Sequence, residues 1–359
     1  MAPKRASNGK VITVMGERAP EELGFTLPHE HVFADLTCYF VEPPDPESRS
    51  RAREPVTLEN LHWIRYNWRA NLDCQQLLDE EIASRELRRF AETGGKTLVD
   101  QSSRGLFRNP TALQRISEAV GIHIVMGTGY YIAPSHPPEV SGATVDRLAR
   151  DFVEDVQTGA SEGGIRAGLI GEIGCSWPLQ PSERKVLRAA ALAQQETGVA
   201  INVHPARNER APLEALEVLK EAGANLERVV MSHMDRCGYA LATRLELLRS
   251  GCYVEYDAFG KEGYYPTEAA LADGHLPDMP NDVGRIKEIR ELIELGHLRK
   301  ILVSQDTCLK IDLTRWGGPG YAHLLEHVLQ LMRVYGLTEE QIRVLTVENP
   351  RDMLTVRGP

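Results

Sequence analysis

Residues 167–174 have the sequence Ala167-Gly168-Leu169-Ile170-Gly171-Glu172-Ile173-Gly174, and a segment with helical spacing of its apolar residues, Ser182–Thr197, follows them. The run is short and almost continuously apolar, which is typical of a parallel strand buried on both faces. A buried strand followed by an amphipathic helix is the repeating unit of parallel α/β sheets. This part of the chain therefore predicts one strand–helix unit.

The same unit recurs along the whole chain. The predicted strands are Leu23–Leu27 leading into His29, Lys96–Asp100, His123–Gly127, Ala167–Gly174, Ala200–His204, Arg228–His233, Cys252–Asp257 and Ile301–Asp306. The helices predicted between them are Leu77–Glu92, Pro110–Val120, Val145–Gln157, Ser182–Thr197, Pro212–Ala222, Tyr239–Ser250 and Val283–Leu295. Eight such units predict an α/β fold, one (β/α)8 TIM barrel that spans residues 1–359 as a single domain.

Four further segments bear on this fold. Two connections are longer than a barrel needs, residues 35–72 and residues 258–282, and both are predicted as lids because loops at this end of a barrel carry specificity. The short strand Val11–Met15 is predicted to decorate the N-terminal side of the barrel. The segment 323–327 matches an H-x-x-E-H zinc motif, but too few residues follow it, and we interpret it as the start of the last helix.

Composition restricts the class of protein. Of the 359 residues 42% are apolar and 26% charged, the mean hydropathy is -0.30, and the formal net charge is -10. The negative charge argues against nucleic acid or an anionic membrane as a general partner. No apolar stretch is long enough for a membrane span, and Met1–Lys10 lacks the core of a signal peptide, so a cytoplasmic protein is expected. The six cysteines form no C-x-x-C pair, which predicts reduced thiols.

Polar residues stand at the ends of several predicted strands. They are His29 and His31 on the first strand, Glu172 on the fourth, His204 on the fifth, His233 on the sixth and Asp306 on the eighth. Because the carboxyl ends of barrel strands meet at one mouth, these side chains should converge there. Residues at i and i+2 of an extended segment project to the same side, so the two histidines of the first strand can bind one ion together.

This arrangement predicts a binuclear metal site. One ion is expected at the first and eighth strands and a second at His204 and His233, and Glu172 is long enough to bridge them. A set of imidazoles and carboxylates suits zinc, manganese or cobalt. A single His-x-His pair is usually structural, so the prediction depends on all six residues occurring together at strand ends.

Several segments resemble the phosphotriesterase family of the amidohydrolase superfamily, and the resemblance covers nearly the whole chain. They are Thr26–His31, Gly164–Gly174, Ile301–Asp306 and Glu348-Asn349-Pro350. Within the family, Gly171–Leu179 followed by Ser182–Leu187 resembles the phosphotriesterase-related branch, whose animal members hydrolyse N-acetyltaurine. The resemblance implies a TIM barrel with two divalent ions, zinc first, on the six residues named above.

One departure from the family pattern lies on the fourth strand. True phosphotriesterases bridge their metals with a carboxylated lysine there, whereas this strand has no lysine and Glu172 stands one place along. In the related branch a glutamate bridges, so the resemblance implies paired ions without a carbon dioxide adduct. The altered bridge argues against organophosphates as the main substrates.

The resemblance implies a metal-dependent amidohydrolase that cleaves small N-acyl amides, N-acetyltaurine or related N-acyl amino acids. A water held between the two ions would attack the carbonyl, and Asp306 would accept its proton and return it to the leaving amine. Tyr130 or Tyr131, just after the third strand, is a candidate second donor to the oxyanion. Packing is an equally good explanation of these two tyrosines.

An anionic substrate needs a cation in the site. Arg207 and Arg210, which follow the fifth strand closely, are the first candidates, because a planar guanidinium suits a sulfonate or carboxylate. Arg104 and Lys261 are competitors, and any of these residues could instead be solvated.

Two alternatives have a different function. One is a lactonase or esterase with incidental phosphotriesterase activity, and the other is a metal-holding binding protein without turnover. The only partner expected in each case is a small molecule, apart from a possible homodimer by analogy.

Overall fold

Eight parallel strands form the centre of the fold. The computed structural model describes residues 8–160, 163–262 and 279–358. The strands are Thr26–Glu30, Thr97–Asp100, His123–Thr128, Leu169–Gly174, Ile201–His204, Val229–Met231, Tyr253–Tyr256 and Ile301–Val303. Each one pairs in parallel with the next in chain order, within one sheet. This nearly closed sheet confirms the predicted (β/α)8 barrel.

Helices surround the sheet. Those that follow the first seven strands are Glu80–Glu92, Pro110–Val120, Val145–Gln157, Pro181–Thr197, Ala211–Glu221, Leu241–Arg249 and Asp282–Glu294. After the eighth strand come a π-helical turn Leu324–Val328, then Leu329–Val334, Glu339–Arg343, a second π-helical turn Val344–Glu348, and Asn349–Leu354. All seven predicted helices are present. Among the described residues, no helix combines the length and the apolar character needed to cross a membrane.

The segment with the H-x-x-E-H motif begins the last barrel helix, as predicted. His323 Nε2 lies 2.7 Å from Asp282 Oδ2, at the start of the seventh helix. Glu326 instead forms an ion pair of 2.8 Å with Arg89 on the first helix. His323 and Glu326 therefore bind separate partners and tie neighbouring helices together.

The first connection forms a small layer of its own above the barrel. It contains a two-stranded ladder, Ala34–Asp35 with Gln76–Leu77, and the short helices Pro46–Arg51 and Leu61–Tyr66. Its single-turn helices are Thr37–Tyr39, Trp68–Ala70 and Asp73–Gln75. Most of the other predicted lid, residues 263–278, lies outside the described residues.

A β-hairpin lies at the N-terminal side of the barrel. Its strands are Val11–Thr13 and Gly16–Arg18, so the predicted strand Val11–Met15 is shorter than expected and turns back on itself. The Val14 amide donates to the Ile124 carbonyl at 2.9 Å, which holds the hairpin against the start of the third strand. Above it, a separate layer of buried apolar side chains fills the barrel interior, including Val99, Val125, Leu169, Val230 and Leu302. The interior is therefore packed below the mouth.

Glu30 joins the first strand to the eighth. This strand runs from Thr26 to Glu30, later than predicted, because the chain at Glu30 pairs with the second strand. The carboxylate of Glu30 accepts hydrogen bonds from the Ser304 hydroxyl at 2.7 Å, the Gln305 amide at 2.9 Å and the Thr307 amide at 2.8 Å. One buried side chain thus closes the seam of the barrel, while its histidine neighbours face the mouth.

Replacing Glu30 by alanine should destabilise the fold. It leaves the buried Gln305 and Thr307 amides without acceptors, at about 1 to 3 kcal/mol for each. We expect Glu30→Ala to lower the free energy of unfolding, measured by urea denaturation, by at least about 2 kcal/mol. Glu30→Gln keeps one acceptor and should lose less. Glu21→Ala, which removes an exposed carboxylate, is the control, and a Glu30→Ala variant as stable as the wild type would contradict the assignment.

Candidate metal centre

All six side chains predicted as metal ligands lie together at the carboxyl-terminal mouth of the barrel. The five from the first, fourth, fifth and sixth strands are buried. Asp306, whose side chain is 14% exposed, is the most accessible of the six. The four imidazoles and Glu172 therefore form a buried floor of the mouth. The carboxylate of Asp306 reaches the space above this floor.

Glu172 stands between two groups of ligands. Its Oε1 lies 3.3 Å from His31 Nε2, and its Oε2 lies 2.8 Å from His204 Nδ1 and 3.5 Å from His233 Nε2. On the first side, Asp306 Oδ1 lies 3.4 Å from His31 Nε2. Since His29 Nε2 also lies 3.5 Å from Oε2, histidines of both groups contact this carboxylate, which has the position of a bridging ligand.

The donor atoms fit divalent ions. Within the group His29, His31 and Asp306, and within the group Glu172, His204 and His233, the donor atoms lie within 4.8 Å of one another. The Nε2 atom of His29 is buried without a hydrogen-bond partner among the described residues. An imidazole nitrogen left in this way is costly unless something binds it, and a metal ion does so. Imidazole nitrogens and carboxylate oxygens are the ligands that zinc and its neighbours accept.

In three histidines, the ring nitrogen that faces away from the mouth is fixed by a side chain deeper in the barrel. Through Nδ1, His29 contacts Glu255 at 3.0 Å, His31 contacts Ser102 at 3.0 Å and His233 contacts Asp257 at 2.7 Å. Such partners orient a ligating imidazole and set its tautomer. Asp257 also lies within ligand distance of His29 and His233, but it faces their Nδ1 atoms and so supports the rings from behind.

Burial and charge oppose each other at the site. Burial by itself would raise the pKa of Glu172, but the imidazoles around it, His204 first, hold that pKa well below its usual range. Burial would lower the pKa of His31, yet Asp306 and Glu172 outweigh it and raise the pKa to about 9. The carboxylates of Glu172 and Asp306 thus require positive charge beside them, which bound metal ions would supply in place of protons.

Two of the predicted ligands have unusual backbone conformations. His233 has a φ of 60° and Asp306 a φ of 49°, both in the left-handed region. This conformation costs about 1 to 2 kcal/mol for a residue with a side chain. Strain of this kind collects at functional sites, where the surrounding structure holds it in place. His233 lies two positions after the end of the sixth strand and Asp306 three positions after the end of the eighth, and both turn their side chains into the mouth.

The two candidate tyrosines have different surroundings. The Tyr131 hydroxyl lies 3.1 Å from His204 Nε2 and 2.7 Å from the Tyr39 hydroxyl, so it is part of the mouth. The Tyr130 ring instead packs against Phe152 of the third helix, with 5.7 Å between the ring centroids. This contact fits a packing role for Tyr130.

A cavity opens above the ligands. Its volume is about 430 Å³. Its lining includes Tyr39, Trp68, Arg207, Arg236, Lys261 and Asp306. Ligand pockets commonly range from about 300 to 1,000 Å³, so this cavity suits a small molecule that reaches Asp306.

The positively charged side chains predicted to bind an anionic substrate lie in different parts of the structure. Arg207 lines the cavity, whereas Arg210 is exposed and is not part of the lining. Arg104 is paired with Asp155 on the third helix, with 2.7 Å between Nη2 and Oδ1. Of the arginines predicted from the sequence, only Arg207 contributes to the described cavity wall.

Lys261 is bound to the metal-site carboxylate. Its Nζ lies 3.2 Å from Asp306 Oδ2, 3.4 Å from Asp312 Oδ2 and 3.2 Å from Cys308 Sγ. Burial would lower the pKa of Lys261, but Asp306 and Asp312 raise it well above its usual value. This charged ammonium therefore fixes one oxygen of Asp306 and leaves the other toward the histidines.

Several residues of the site were missed by the sequence analysis, and two of them, Asp257 and Arg236, have a signal in the sequence. Asp257 ends the seventh predicted strand, and the strand-end rule that gave the six predicted ligands also applies to it. Arg236 follows His233 by three positions, as Arg207 follows His204. A search for this repeated spacing would have found the second arginine.

Comparisons with known proteins agree with this architecture. The sequence model of the phosphotriesterase family matches residues 9–354. Human N-acetyltaurine hydrolase is 39% identical over 351 residues, which cover 98% of this chain and 99% of that protein. A phosphotriesterase-related protein of Nematostella vectensis is 39% identical over 354 residues, 98% of this chain and 100% of that protein.

The fold comparison extends this to solved structures. The crystal structure of a resiniferatoxin-binding protein from Rhodobacter sphaeroides has a TM-score of 0.91 and 34% identity, and the match covers 99% of this chain and 98% of that one. The family match and the identities to its members both span nearly the whole chain. The chain therefore belongs to the phosphotriesterase family, and it is a metal-dependent hydrolase.

Proposed function

We propose that this hydrolase cleaves small N-acyl amides whose amine part carries an anion, with N-acetyltaurine as the first candidate. The observation that carries the proposal is the 39% identity with human N-acetyltaurine hydrolase over 98% of the chain. The cavity of about 430 Å³ supports a substrate of this size. Arg207 in its wall supports a negative charge on that substrate.

Two divalent ions would be held by the ligands of the mouth. His29, His31 and Asp306 would bind one, His204 and His233 the other, and Glu172 both. The position of one Glu172 oxygen near each group supports this division. Zinc is the first choice, and manganese or cobalt would suit the same donors. Bound ions would polarise the substrate carbonyl and lower the pKa of the attacking water.

Asp306 would move the proton of the reaction. It is the most exposed of the predicted ligands, and Lys261 holds its Oδ2 at 3.2 Å, so the carboxylate has a fixed orientation with Oδ1 toward His31. It would accept a proton from the attacking water and return it to the leaving amine. The Tyr131 hydroxyl, 3.1 Å from His204, would donate a hydrogen bond to the oxyanion.

The bridging role of Glu172 can be tested by substitution. Glu172→Gln removes the charge shared by the two groups and should lower N-acetyltaurine turnover at least about 100-fold. Metal analysis should find two ions per wild-type chain and fewer in the variant. Glu86→Gln replaces another buried glutamate, which binds Thr314 away from the mouth, and should retain both ions. Full metal content and turnover in Glu172→Gln would exclude the bridge.

A substrate panel tests the type of reaction. Metal-loaded protein should release amine from N-acetyltaurine and from N-acetyl amino acids, and it should do so faster than it opens a γ-lactone. Chelation should abolish this activity, and zinc, manganese or cobalt should restore it, because the ions activate the water. Product analysis by mass spectrometry measures each reaction.

The panel also separates the alternatives. Turnover of the lactone alone would keep the metal site but replace the amide by an ester-like substrate. No turnover of any compound by fully metallated protein would favour a metal-holding binding protein. A homodimer and a cytoplasmic location stay predictions, which sedimentation and cell fractionation can check.

A further inference from the structure

Arg236 occupies a defined position beside the metal ligands. Its Nη2 donates to the Pro205 carbonyl at 2.7 Å, and its Nη1 lies 3.1 Å from His204 Nε2. Both contacts are to the end of the fifth strand, although Arg236 itself follows the sixth. The guanidinium is therefore held across two strand ends, on the wall of the cavity.

Arg207 and Arg236 lie close to the same tyrosine. Burial raises the pKa of the Tyr39 hydroxyl, and the charges of Arg236 and Arg207 oppose that rise. Tyr39 also lines the cavity, together with both arginines and Asp306. Two guanidinium groups thus line one small cavity, and the proposed proton acceptor is part of the same lining.

One imidazole ring separates Arg236 from the bridging carboxylate. His204 Nδ1 lies 2.8 Å from Glu172 Oε2, while Nε2 on the other side of the ring faces Arg236 at 3.1 Å. A substrate carbonyl placed above the ligands would consequently lie close to an anion bound to this arginine, so a short spacer could join the two groups in one substrate. An arginine fork matches the oxygens of a sulfonate or a carboxylate.

We propose that Arg207 and Arg236 together bind the anionic head of the substrate, a sulfonate or carboxylate two carbons from the amide nitrogen. The inference rests on the proposed amide hydrolysis and adds a specificity determinant to it. Arg236 provides the fixed guanidinium and Arg207 the second cation. Lys261 is not part of this anion site, because it forms an ion pair with Asp306.

A matched series of amides tests the pair. N-acetyltaurine, N-acetyl-β-alanine and N-acetylethanolamine share the acetamide and the two-carbon spacer, and they end in a sulfonate, a carboxylate and a neutral hydroxyl. We expect Arg236→Gln and Arg207→Gln each to lower kcat/KM for the two anions about 10- to 100-fold, mainly through KM. For the neutral amide, kcat/KM should change less than about 3-fold.

Further variants control for structure. Arg236→Lys keeps the charge but loses the fork of the guanidinium. Its kcat/KM for the two anionic amides should therefore lie between those of the wild type and Arg236→Gln. Arg88→Gln removes an exposed arginine and should behave as the wild type. Because Arg236 touches His204, the metal content of every variant is measured as well. In an Asp306→Asn background, calorimetric titration with N-acetyltaurine should show the same weakening of binding without turnover.

The outcomes separate this inference from the proposed function. Equal losses for the neutral and the anionic amides, or loss of metal from Arg236→Gln, would give Arg236 a structural role and overturn the pair. Unchanged kinetics in both glutamine variants would also overturn it. If the wild-type protein turns over no amide, the proposed function fails. Titration with N-acetyltaurine then tests the two arginines independently of turnover. Equal affinity of the wild-type protein and the glutamine variants for N-acetyltaurine would overturn the pair.

Discussion

Two carboxylates at the barrel mouth, the buried Glu172 and the partly buried Asp306, impose the constraint on which the site depends. Glu172 and Asp306 cannot stay charged in such surroundings without positive charge within a few ångströms. The ammonium of Lys261 and the proposed metal ions would meet that requirement, with the imidazoles binding the ions as neutral rings. Three of the imidazoles are in turn held in one orientation by Glu255, Asp257 and Ser102, which lie directly behind the rings.

The barrel satisfies this constraint through the alternation of its strands. In His29-Glu30-His31 the two histidines face the mouth, while the glutamate between them points the other way and closes the seam with the eighth strand. The same short segment therefore provides ligands and joins the ends of the sheet. At the sixth and eighth strands, positive φ angles at His233 and Asp306 perform the equivalent turn into the mouth.

The residues just beyond the strand ends would set the selectivity of the proposed reaction. Arg207 and Arg236 each stand three positions after a histidine ligand, and Tyr39 reaches the same cavity from the long first connection. The strands hold the reacting groups rigidly, whereas the loops above them can vary without disturbing the ligands. Proteins of this architecture that act on different substrates would thus be expected to differ in the residues of the cavity wall more than in the residues of the metal site.

Local patterns in the sequence were sufficient to predict the eight strands, the seven helices between them and the convergence of six polar residues. Apolar periodicity and strand order are local properties, and a barrel brings all strand ends to one face. The first strand was placed too early, because pairing at Glu30 overrides local apolarity. The partner of each ring nitrogen could not be predicted: His29 and Glu255 are 226 positions apart, and only closure of the barrel brings them into contact. Other contacts likewise depend on three-dimensional packing, because residues with similar sequence positions acquire different neighbours when the strands close. Examples are the different surroundings of Tyr130 and Tyr131, the ion pair of Lys261 with Asp306, and the cavity that Arg207 and Arg236 both line.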